Sequence, residues 1–140
     1  MADAAVAVKI REHLNATKRV VAYYPALAEI SGGAAAALML AQALFLTGRT
    51  KNPDGWFYKS REEWQRETGL TRWEQETARR NLRERKLLYG RLGGNPRRLY
   101  YCVNMGSLAA ALASVGIAPA EKPPAGMSPA ARVTSAITAR

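Results

Sequence analysis

The side chains of this chain whose types and spacing could do chemistry are arginines. Arg72, Arg79, Arg80, Arg83, Arg91, Arg97 and Arg98 recur in one stretch, with Trp73 and Glu76 set among them. A guanidinium presents a rigid fork of donors that pairs with phosphate oxygens or with the O6 and N7 edge of guanine. The chemistry on offer is therefore recognition of a polyanion. Stepping 100° per residue with Ala78 and Leu82 turned inward puts Arg72, Trp73, Glu76, Arg80 and Arg83 on the opposite side of a helix, with Arg79 on its flank. In a helix that enters a DNA groove, the first turns meet base edges and later residues reach phosphates. Arg72, Trp73 and Glu76 are thus expected near bases, and Arg79, Arg80 and Arg83 on the backbone or on guanine. Arg91, Arg97 and Arg98 flank a glycine-rich tip from which arginine can enter a minor groove. Lys59 and Arg66 are further candidates for phosphate contact.

The charge balance agrees. The chain of 140 residues carries a formal net charge of +10. Between Lys59 and Arg98 twelve Lys or Arg stand against six Glu, so the excess is concentrated on the stretch that holds the candidate site. Catalysis finds little support. His13 is the sole histidine and sits far in sequence from any acid constellation, and Ser31-Gly32-Gly33 lacks the lysine and spacing of a phosphate-binding loop. A single cysteine, Cys102, excludes an intramolecular disulfide and a thiolate zinc site. No metal and no cofactor are expected, and the chain is read as a non-enzyme.

Positioning these residues requires capped helices and a hairpin. Ser60-Arg61-Glu62-Glu63 and Thr71-Arg72-Trp73-Glu74 each have the form of a capping box, and Gly69 between them ends the first helix. The second helix is expected to run to about Lys86. Gly55 to Lys59 reads as a strand; Trp56, Phe57, Tyr58 and Trp64 lie close to positive charge and could stack on bases of a single strand, but their places on the first strand and the positioning helix favour the core, where they are expected. Leu87 to Leu92, the turn Gly93-Gly94-Asn95-Pro96, and Leu99 to Asn104 read as two strands of a hairpin. Upstream, Val6, Ile10 and Leu14 have the spacing of an amphipathic helix, and Arg19 to Tyr24 that of a short extended segment. Pro25 opens a helix, Ser31 is expected to cap the next one, and Gly48 to stop it. Ser107 is expected to cap a last short helix. The fold class is mainly α with a small β wing, a winged helix-turn-helix. Its parts are an N-terminal amphipathic helix at 1–19, the winged domain at 20–104, a short helix at 105–116 and a disordered tail at 117–140, which lacks bulky apolar residues.

The stretch from about Val20 to Asn104 resembles the winged-helix N-terminal domains of phage, plasmid and integrative-element replication proteins. The resemblance is carried by Tyr24-Pro25-Ala26-Leu27-Ala28, Ala37-Leu38-Met39-Leu40, Asp54-Gly55-Trp56-Phe57-Tyr58-Lys59, Glu67-Thr68-Gly69-Leu70-Thr71, Glu74-Gln75-Glu76-Thr77-Ala78-Arg79 and Arg98-Leu99-Tyr100-Tyr101. It implies sequence-specific binding of double-stranded DNA in replication initiation or its control. Similar domains also occur in small phage regulators, so the alternative is a regulator or inhibitor acting through protein contact, with a replication or regulatory protein as partner. A homodimer is left open. The apolar run from Ala34 to Leu46 is too short to span a bilayer, and the N-terminus lacks the pattern of a signal peptide, so no membrane partner and a cytoplasmic location are expected.

Overall fold

The computed structural model describes residues 2–17 and 20–117. Along them run α1 (Ala2–Ala16), α2 (Pro25–Ser31), α3 (Ala34–Thr47), β1 (Phe57–Tyr58), α4 (Arg61–Thr68), α5 (Arg72–Glu84), β2 (Leu88–Gly93), β3 (Arg98–Val103) and α6 (Met105–Ser114). The described residues are mainly helical, with one three-stranded antiparallel sheet among them in the order β1-β3-β2. No single described helix is long and apolar enough to cross a membrane. The expected tail lies outside the described residues apart from Ile117, whose amide closes the end of α6 on the Leu112 carbonyl.

The framework is α3, whose alanines let other elements approach closely. Ala36, Ala37, Met39, Leu40, Ala41 and Ala43 are all buried, which is the signature of a helix covered on most sides. Its start corrects the sequence reading. Ser31 does not cap α3 but closes α2, buried, with its hydroxyl donating to the Leu27 carbonyl. The N-cap is Gly33, and the chain bends by 109° between the two helices. Gly32 takes φ 98° at that bend, where an added Cβ would also meet the Arg85 guanidinium at 3.0 Å. Two glycines thus separate the helices, and a serine cannot take the left-handed conformation without cost. At the other end α3 stops at Thr47 with Gly48 as its C-cap, as expected, in a right-handed conformation of φ −74°.

Both capping boxes form. The Glu63 amide donates to Ser60 Oγ at 3.1 Å and the Ser60 amide to Glu63 Oε1 at 3.3 Å. In the second box the corresponding distances are 3.3 Å, from the Glu74 amide to Thr71 Oγ1, and 3.0 Å, from the Thr71 amide to Glu74 Oε1. Gly69 between the helices has φ 77°, and nothing lies within 4 Å of where a Cβ would sit. Gly69→Ala therefore isolates backbone strain, and urea denaturation should show a loss of about 1 kcal/mol with an unchanged slope.

The end of α5 falls two residues before the expected Lys86. Lys86 takes φ 57°, the Leu87 amide donates to the Leu82 carbonyl at 2.9 Å, and the Lys86 amide to the Arg83 carbonyl at 3.0 Å. This is a Schellman closure made by a lysine, held because Leu82 and Leu87 are both buried in the core. The same motif ends α6, with Gly116 at φ 85°. Asn104, not Ser107, caps the start of α6, its side-chain oxygen accepting from the Ser107 amide at 3.2 Å.

The sheet packs one face on the helices. Leu88 opposite Val103, and Phe57 opposite Tyr101, point inward. Phe57, Trp64 and Tyr101 form an aromatic cluster, with Trp64 edge-on to Tyr101 at 5.4 Å between centroids. Beside it the buried Lys59 ammonium is paired with Glu67, whose other oxygen accepts from Gln42 Nε2 at 2.8 Å. Lys59 therefore serves the core, and the expected phosphate contact at this position is not available.

The helix expected near the N-terminus forms as α1, and its residues from Ala4 onward are exposed. Val6, Ile10 and Leu14 line one side of it together with Lys9 and His13. Val20 to Tyr24 joins no strand.

Candidate nucleic-acid interface

A capped start and a buried stripe fix the orientation of α5. Gln75, Ala78 and Leu82 are buried, so the opposite side of the helix carries Arg72, Trp73, Glu76, Arg80 and Arg83, all exposed. Gln75 fixes the entry of the helix: its side-chain amide donates to the Leu70 carbonyl at 3.0 Å and to the Arg61 carbonyl at 3.1 Å. The sequence reading missed this residue. Its position three before Ala78 and seven before Leu82, on the apolar stripe, was the available signal.

The outward face is open. Arg72 Nε lies 3.4 Å from Glu76 Oε1, an exposed pair one turn apart that holds the guanidinium beside the helix without burying it. Trp73 is 72% exposed. Arg79 lies on the flank of the helix, as expected, and is engaged within the fold. It is half-buried, and its Nη1 donates to the Tyr101 hydroxyl at 3.1 Å, tying α5 to β3. One residue beyond Ala78 on the wheel is still close enough to the core to be drawn inward by a buried phenol.

The Glu74 carboxyl is held below its ordinary range, first by the Thr71 backbone amide and then by the Thr71 hydroxyl. A carboxyl with a depressed folded pKa stabilises the fold above its ordinary value, and that contribution disappears as pH falls through the folded value. Glu74→Gln should therefore flatten the acid limb of a stability-versus-pH curve measured by thermal unfolding. An acid limb identical to that of the wild type would show that the box is not what titrates.

Of the three hairpin arginines, the structure leaves only Arg97 in the turn. Arg91 and Arg98 lie on the outer face of the sheet, their guanidinium carbons 4.4 Å from the Trp56 ring centroid and 4.8 Å from the Tyr58 ring centroid. This also corrects the aromatic assignment. Phe57 and Trp64 are core residues, whereas Trp56 is half-buried and Tyr58 exposed, both away from the core. Alternation along a strand separates Phe57 from its neighbours on either side. Cys102, on the same outer face, is covered by the 52–55 turn, its thiol donating to the Asp54 carbonyl at 3.2 Å. Burial and, secondarily, Asp54 push that thiol's pKa up, which makes it a poor nucleophile.

No protein-family model matches the chain, and neither the curated proteins nor the solved structures yield a significant match.

Proposed function

We propose that the protein is a winged helix-turn-helix that binds double-stranded DNA sequence-specifically, and that it serves a mobile element in replication initiation or its control. In this reading α4 is the positioning helix, α5 the recognition helix, and the β2–β3 hairpin the wing. The observation that carries it is the face of α5: an exposed tryptophan in the first turn of a basic helix, flanked by Arg72 and Glu76 and followed by Arg80 and Arg83. An ordinary solvated helix has no reason to expose the largest apolar side chain there, whereas a groove offers thymine methyls and sugar edges to cover it. The assignment to replication rests on the sequence resemblance alone.

The same tryptophan supports a second reading, since exposed Trp beside Arg is also the composition of a protein-interface hot spot. In that reading the protein is a small phage-type regulator or inhibitor that acts through protein contact. Selection of sites from a random duplex library separates them. The wild type should return one preferred site, and Arg72→Ala should relax one or two positions of it, at about 1–3 kcal/mol for a lost bidentate contact. Arg97→Gln should weaken binding and leave the selected site unchanged. A wild type that selects no site while binding one defined protein would replace the first reading with the second.

A further inference from the structure

The outer face of the sheet has a composition that the core does not require. Register places Tyr58 beside Tyr100, Tyr100 beside Arg91, and Tyr89 beside Cys102, all on the side away from α3 and α5. Trp56 joins them from the residue before β1. The rings form two pairs, Trp56 with Tyr89 at 6.4 Å and Tyr58 with Tyr100 at 6.1 Å between centroids. Arg91 and Arg98 each stand over one ring of these pairs. Among these outward-facing strand positions there is no carboxylate; the nearest acidic residue in sequence is Asp54, at the Cys102 end. Between the hairpin and the 50–56 loop lies an open groove of about 480 Å³, with Thr50 and Asn52 on its polar edge and Gly93 and Gly94 on the other.

We propose that this face is a second nucleic-acid site, one that takes unpaired nucleobases of a single strand. Flat rings without competing acids accept base faces of any sequence, and guanidinium groups beside them meet the phosphates that accompany those bases. A base can also stack on an arginine already lying over a ring, so the resting Arg91–Trp56 and Arg98–Tyr58 contacts prepare the surface rather than block it. Duplex DNA does not fit, because its base faces are already stacked on one another. Gly93 and Gly94 add no side chain of their own at the hairpin end of the groove, where the Tyr100 ring lies against Gly94 and offers its face to a base. The site is distinct from the α5 face and does not depend on which duplex sequence, if any, α5 reads.

Fluorescence anisotropy with labelled oligo(dT), and separately with a labelled duplex of equal length, tests the assignment on the full chain. Tyr58→Ala with Tyr100→Ala should weaken oligo(dT) binding at least about tenfold, the equivalent of one stacked base, and leave duplex binding within about twofold. Tyr58→Phe with Tyr100→Phe keeps the rings and should bind oligo(dT) as the wild type does, which separates stacking from hydrogen bonding by the hydroxyls, while a cooperative thermal melt of the double alanine variant separates it from a general loss of fold. Arg80→Ala with Arg83→Ala should do the opposite, weakening the duplex and sparing oligo(dT). The proposal is overturned if the wild type does not bind oligo(dT), if the double alanine variant binds it unchanged, or if one variant pair weakens both ligands equally.

Discussion

Arg80→Ala combined with Arg83→Ala is expected to lower duplex affinity on the order of a hundredfold near 0.1 M salt, about tenfold for each lost phosphate contact. Both side chains are exposed on the side of α5 opposite Ala78 and Leu82, so neither removal opens the core. The slope of log affinity against log salt should fall by about two, because each neutralised phosphate releases its condensed counterion on binding. Melting temperature should stay within a degree or two of the wild type. Arg79→Ala is the informative contrast. Its guanidinium is bonded to the buried Tyr101 hydroxyl, so its loss should cost about 1–2 kcal/mol of stability, and any loss of binding should come with that destabilisation. A gel shift across a salt series decides the matter. If the Arg80 and Arg83 variant keeps both affinity and slope, the α5 face is not a phosphate-binding surface, and the protein-contact reading gains.

What the sequence disclosed and what it withheld divide along the range of the interaction. The two capping boxes were legible because donor and acceptor lie three residues apart, so that Ser60 with Glu63 and Thr71 with Glu74 satisfy each other whatever the rest of the chain does. The outward face of α5 was legible because the helical period fixes directions once Ala78 and Leu82 are known to be inside. The Arg79–Tyr101 bond was not legible because Tyr101 is 22 residues away on a strand, and the burial of Lys59 because its carboxylate and the glutamine bonded to it come from α4 and α3. The Trp56–Phe57–Tyr58 run hid its division between two faces because all three are aromatic, and hydrophobicity alone does not report alternation. Ser31 failed as a cap for a local reason of another kind: Gly32 and Gly33 inserted a sharp bend after it, and serine preference for caps could not show how many residues that bend would take.

Trp64→Ala should be the most damaging single change, at about 3–5 kcal/mol. Trp64 is fully buried, edge-on to Tyr101 and also to Phe57 at 6.2 Å, with the Lys59 ammonium 6.0 Å from its ring. It is the point at which α4 meets the sheet, and the turn after α4 sets the start of α5 through Gln75. Its removal therefore loosens the angle between α5 and the hairpin as well as the core. Set against a typical domain stability of about 5–15 kcal/mol, such a loss brings the chain near its threshold for folding. Trp64→Phe should be far milder, within about 1.5 kcal/mol. The indole Nε1 is buried without a hydrogen-bond partner among the described residues, so phenylalanine removes an unsatisfied donor while it gives up some volume. Urea denaturation of both variants, followed by duplex binding at a temperature where each is folded, measures the two effects separately. A phenylalanine variant as unstable as the alanine one would mean that the indole nitrogen has a partner after all, and that a polar contact rather than ring packing holds α4 to the sheet.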